Sequence, residues 1–259
     1  SPGASAAHSK EGIMDKNFGF RGLSLAACAM AALFIAQSAK ADIIEINNFW
    51  AGSGNVTIDF TGVNWHDGST VTGLHEYGRA GGFLTYNLTT DPLKRSGFQS
   101  FCVDIFHSFN FAVRSIDVLQ PATIISSTAA ADLGRLYTNH HADIDLRSSS
   151  AANEAAFQLA VWEIVNEGSG AYSLDAGGFK ASGTGSALAQ SWLAELGIAS
   201  TSEYNANIWT VQSMLTTGHG YAQDVVVFAQ VPEPETYAML LAGLGLIGFS
   251  ARRRKSDTL

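Results

Sequence analysis

Apolar runs mark the two ends of the chain and leave a polar middle. Leu23–Ala36 follows the basic residues Lys16 and Arg21 and precedes the small-x-small triplet Ala39-Lys40-Ala41. Tyr237–Ala251 precedes the cluster Arg252, Arg253, Arg254 and Lys255. The first arrangement is that of a secretory signal cut by signal peptidase, with Met14 as a plausible start and Asp42 as the expected first mature residue. Leu25-Ala26-Ala27-Cys28 reads less well as a lipoprotein box, because the long apolar run follows it instead of preceding it. At the other end, fifteen helical residues reach about 22 Å, short of a ~30 Å hydrocarbon core. The basic cluster holds that end on the cytoplasmic side and leaves the body outside. Any folded body must therefore come from Asp42–Val231, about 190 residues, a length for one domain that can bury a core without disulfide staples.

Charge and cysteine usage narrow what this body does. Asp42–Val231 carries 7 Lys+Arg against 18 Asp+Glu, a net of −11, and the positive charge collects at the two ends. An acidic body without a basic stripe argues against nucleic acid as a partner. Of the two cysteines, Cys28 lies in the signal segment, so the mature body holds Cys102 alone. In an exported protein a single cysteine closes no internal disulfide, which leaves it free, paired between chains, or put to other use.

The pattern along the body is strands, then helices, then strands. Ile43–Phe49, Asn55–Thr61, Gly82–Thr89, Phe98–Phe106 and Val113–Leu119 are short and rich in β-branched and aromatic residues, with Gly, Asn or Asp between them. Helices are expected over Ser126–His140, over Ser150–Glu167 with Ser150 as N-cap and Gly168 past the end, and over Ser186–Leu196. Ser173–Gly185 reads as a Gly-rich loop, and Ile208–Leu215 and Asp224–Ala229 as closing strands. The expected fold is α+β, a β-sandwich or barrel carrying a helical insertion, with a signal helix before it and a short transmembrane helix after it. The expected organisation is 1–41 upstream residues and signal, 42–230 globular domain, 231–255 tail.

The tail is the more specific of the two ends. Val231-Pro232-Glu233-Pro234-Glu235, a short apolar helix and an Arg cluster stand in that order. The order resembles the PEP-CTERM sorting signal of Gram-negative bacteria that make extracellular polysaccharide. The resemblance implies processing near Pro232, Glu233 and Pro234 by an exosortase, a membrane transpeptidase-like cysteine protease. It also implies a membrane-anchored stage during sorting, then a place at the cell surface or in the extracellular matrix.

Two further features carry chemistry. On a strand, Cys102 in Phe101-Cys102-Val103-Asp104 shares a face with Phe98 and Phe106, so it is expected to point into a second layer. On a helix, Gln158 aligns with Val161, Trp162 and Val165, in the apolar stripe. A glutamine there is unusual, since a buried amide must find hydrogen-bond partners. Phe101-Cys102-Val103 followed by Gln158-Leu159-Ala160-Val161-Trp162 resembles the Cys–Gln thioester domains of bacterial surface adhesins, with Phe157 where that motif has Thr. The resemblance implies an internal thioester between Cys102 and Gln158, opened once by an amine-bearing target, so the protein is not a turnover enzyme. A thiol nucleophile needs a lowered pKa or a nearby base, and His107 and Glu163 are the candidates for that activation.

The remaining signals are weaker. Asn139-His140-His141-Ala142-Asp143-Ile144-Asp145 offers metal-ligand types, but adjacent histidines at a helix end read as a solvated terminus. Neither a metal nor a cofactor is expected. The chain contains no Gly-rich phosphate loop, Ser-His-Asp series or zinc spacing. Cys102 with His107 as a cysteine hydrolase is disfavoured, since five residues along one strand puts them on opposite faces. The alternative to covalent attachment is a non-catalytic structural or glycan-binding component of the extracellular polysaccharide matrix, with Cys102 as a core residue.

Overall fold

A computed structural model describes residues 42–107, 111–119, 125–145, 149–168, 170–196, 202–213, 223–231 and 239–247. The strands are β1 (Asp42–Phe49), β2 (Gly54–Val63), β3 (Thr70–Ala80), β4 (Phe83–Asn87), β5 (Phe98–Cys102), β6 (Ala112–Leu119), β7 (Phe179–Gly183), β8 (Tyr204–Ser213) and β9 (Val225–Gln230). The helices α1 (Ser127–His140), α2 (Ala151–Glu167) and α3 (Ser186–Glu195) fall between β6 and β8 in the chain, with β7 among them. The α+β class holds, in two antiparallel sheets. In one, β1-β4-β5-β9-β8-β6 hydrogen-bond in that order and β6 pairs back with β1, so the sheet closes on itself. The other has three strands in the order β3-β2-β7.

Helix α2 lies at the centre. It packs against β2, β3 and β7, against β5, and against both other helices. Contact on all sides explains why every residue from Glu154 to Val165 is buried, and a helix apolar all round belongs inside a core. Its ends are capped as expected. Ser150 accepts from the Asn153 N–H, and Gly168, with a φ of 75°, donates its N–H to the Ile164 carbonyl. Val56, Ile58 and Phe60 of β2 and Phe179 and Ala181 of β7 turn one face inward, the alternation of a sheet with one face buried.

Several expectations are corrected. Strand β3 was not expected: Gly73, Gly78 and its exposed polar residues hide any alternation, and it forms through its long pairing with β2. Strand β7 lies inside the presumed Gly-rich loop, where Phe179 and Ala181 pair with Phe60 and Ile58. Strand β5 ends at Cys102, not Phe106. His140 is not solvated. It is 6% exposed, stacks on Trp192 with ring centroids 4.3 Å apart, and pairs with Asp143 and Glu195.

No helix among the described residues is long and apolar enough to cross a membrane. The expected membrane helix Tyr237–Ala251 is described only over 239–247, where Met239, Leu241 and Leu246 are exposed. The signal segment, Pro232-Glu233-Pro234 and the cluster Arg252–Lys255 lie outside the described residues.

Candidate functional site

The end of β5 dictates the arrangement around Cys102. Strand β4 pairs with β5 from Thr85↔Phe98 to Phe83↔Ser100 and stops there. Phe101 and Val103 turn to the other neighbour: Phe101 pairs with Val226, and the Val103 N–H donates to the Asp224 carbonyl. Cys102 is left needing partners on the β4 side, because a buried backbone N–H and C=O must both be satisfied. Gln158 supplies both. Its Oε1 accepts from the Cys102 N–H at 2.9 Å and its Nε2 donates to the Cys102 carbonyl at 2.7 Å. The two residues are 2% and 1% exposed.

Helix α2 is held in register for this contact by Glu154, one turn before Gln158 on the same face. The buried Glu154 carboxylate accepts from the Gly82 N–H at 3.1 Å, from Gln99 Nε2 at 2.9 Å and from Ser149 Oγ at 2.7 Å. Burial nevertheless raises its pKa to about 7. A Cβ on Gly82 would meet Glu154 Oε2 at 2.6 Å and Phe101 Cε1 at 2.8 Å, so the chain just before β4 approaches the helix this closely only with glycine. Beside Gln158, Phe157 packs its ring on Phe101 with centroids 4.5 Å apart.

Cys102 and Gln158 line a cavity of about 460 Å³, together with Phe83, Trp162, His107 and Gln223. His107 enters it because β5 ends early. The chain bends after Cys102, with Asp104 Oδ1 accepting from the Phe106 N–H at 2.7 Å, and the bend returns His107 to the cavity. The opposite-face expectation, which assumed one continuous strand, is thereby overturned. Asp104 Oδ2 holds His107 Nδ1 at 2.5 Å. Glu163 goes elsewhere: its Oε1 accepts from the Ser173 N–H at 2.6 Å and it does not line the cavity. Burial first, and Glu167 next, push its pKa up to about 8.

The thiol of Cys102 lies in unfavourable surroundings for a thiolate. Burial raises its pKa well above the ordinary value, and the carboxylates of Asp104 and Asp224 raise it further. Asp224 stands just before β9, where its Oδ1 accepts from the Val211 N–H at 2.8 Å. Its Oδ2 pairs with His66 Nε2 at 3.0 Å, and burial lifts its pKa to about 6. His66, Asp104, Gln223 and Asp224 were missed in the sequence. They come from three distant segments, each without a ligand spacing of its own.

Residues 230–255 match the model of the PEP-CTERM protein-sorting motif. That motif implies an exported protein processed by an exosortase, with a membrane-anchored stage before release. A comparison with curated proteins returned no match.

Proposed function

We propose that the exported body is a single-use covalent attachment module in which Cys102 and Gln158 join as an internal thioester. The observation that carries this reading is the docking of the Gln158 amide on both backbone groups of the body's single cysteine, both residues buried in the wall of a cavity. Attack of Cys102 Sγ on Gln158 Cδ forms an S–C bond and breaks the C–N bond, and the thiol proton leaves with the nitrogen as ammonia. The Cys102 N–H donates to Gln158 Oε1, the oxygen on which negative charge builds during attack. A primary amine on a surface target then attacks the same carbon. It forms an amide, breaks the S–C bond and passes a proton to the thiolate, which ends as the free Cys102 thiol. Burial keeps water from the thioester in the meantime.

The raised pKa of Cys102 favours single-use chemistry over a hydrolase. Turnover by a cysteine nucleophile needs a standing thiolate population, which burial and two carboxylates oppose here. A bond made once per molecule does not need one, and the thioester itself is neutral. An amine-bearing component of the cell surface or extracellular matrix is the target class.

One observation favours a second reading. Gln158 supplies the hydrogen bonds that β4 no longer provides at Cys102, and this role alone would explain a buried glutamine in a structural or glycan-binding matrix component. Covalent incorporation of a fluorescent primary amine into the purified protein separates the two. The thioester reading expects incorporation in the wild type and none in folded Cys102→Ala or Gln158→Glu. Incorporation that persists in Cys102→Ala overturns it, and a wild type that takes up no amine leaves the structural reading.

A further inference from the structure

Next to the Cys102–Gln158 pair, two histidines and two buried carboxylates converge from three places in the chain. His66 stands on the β2–β3 turn, which is tied together by the Asn64 N–H to the Ser69 carbonyl at 2.9 Å and by the His66 N–H to Asn64 Oδ1 at 2.8 Å. Asp104 and His107 stand on the bend after β5, and Asp224 stands before β9. The ligand atoms of His66, Asp104 and His107 all lie within 4.8 Å of one another. Asp224 Oδ2 is 3.0 Å from His66 Nε2, and the two imidazole rings lie 5.2 Å apart, edge to face. We propose that His66, Asp104, His107 and Asp224 form a binding site for a divalent first-row transition metal of the zinc class.

Charge, chemistry and geometry each support the site. Asp104 and Asp224 are 0% and 1% exposed. Two buried carboxylates in one site are unfavourable unless positive charge compensates them, and a divalent ion would balance both. Two imidazole nitrogens with two carboxylate oxygens are a donor set for zinc and its neighbours, whereas calcium and magnesium take oxygen ligands. Metal–ligand bonds of about 2.0–2.2 Å give tetrahedral edges of about 3.3–3.6 Å; His66 Nε2 and Asp224 Oδ2 stand 3.0 Å apart, and the ligand atoms of His66, Asp104 and His107, within 4.8 Å of one another, would draw in around an ion. An independent observation points the same way. Gln223 is 8% exposed and lines the adjoining cavity, and its Nε2 donates to the Asp104 carbonyl at 2.5 Å while its Oε1 is buried with no hydrogen-bond partner among the described residues. It offers a further oxygen to an ion or to a water bound on one. The site gives His107 a ligand's role instead of the base's role expected from the sequence, and it does not depend on the thioester.

The test uses the full chain, purified in detergent and stripped with a chelator. Titration with Zn2+ by calorimetry, and with Co2+ by visible absorption, is expected to show one ion per chain, with the intense d–d bands of a four-coordinate cobalt site. His66→Gln should weaken zinc binding by about tenfold or more. His75→Gln, at an exposed histidine on β3, and Cys102→Ala should leave it unchanged. The cobalt spectrum is read on the wild type, so it decides even where a variant fails to fold. Absence of saturable zinc binding, a cobalt spectrum of the hexaaquo ion, or full affinity retained in folded His66→Gln would each overturn the site and leave two histidine–aspartate pairs that serve the fold alone.

Discussion

Three residues of α2, Glu154, Gln158 and Glu163, show how one buried helix assigns different work to polar side chains. Glu154 and Gln158, four apart, both dock on the β4–β5 region, whereas Glu163, five further on, faces the Ser173 backbone. Full burial raises the Glu163 pKa to about 8 from an ordinary 4.5. Between those values the folded chain holds a proton that the unfolded chain has lost, so stability falls as pH rises from about 4.5 through 8 and levels off above. Glu163→Gln imitates the protonated form. It should flatten this part of the curve in denaturant midpoints measured from pH 5 to 9, with the variant gaining most on the wild type at the alkaline end. An unchanged slope would show that Glu163 titrates normally in the fold.

At the scale of elements, the contact of α2 on β5 brings Gln158 onto Cys102 in the cavity. Phe157 carries much of it, fully buried against Phe101. Phe157→Ala should lower stability by about 3–5 kcal/mol, read from chemical denaturation, and should slow amine incorporation as well by loosening Gln158 on Cys102. Cys102 and Gln158 were each singled out in the sequence by a broken local rule, a lone cysteine in an exported chain and a glutamine in an apolar helical stripe, and their pairing was expected from the resemblance to thioester domains. The α2 caps were legible too, since Ser150 and Gly168 act within one turn of themselves. Strand β3 was not, because pairing with β2 stabilises a segment whose own residues show no alternation. The position of His107 depended on where β5 stops, which the β4 register decides and no residue near His107 announces. The union of His66, Asp104 and Asp224 is tertiary in the same sense.

For the whole molecule, the tail matching the PEP-CTERM sorting motif at 230–255 implies that the acidic body works outside the cell. Replacing Arg252, Arg253, Arg254 and Lys255 with Gln should remove the stop on the cytoplasmic side, and immunoblots should show loss of the processed form. Processing at the wild-type level would separate sorting from the basic cluster. The proposed thioester would suit delivery by this route, since a buried bond would survive transit and react once at its destination. The most direct measurement is the intact mass of the purified protein before and after methylamine. The thioester account predicts a mass short by one ammonia, converted by methylamine to the Gln158 methylamide with a newly titratable Cys102 thiol. A mass equal to the plain sequence, with the thiol titratable once unfolded and no change on methylamine, would contradict it.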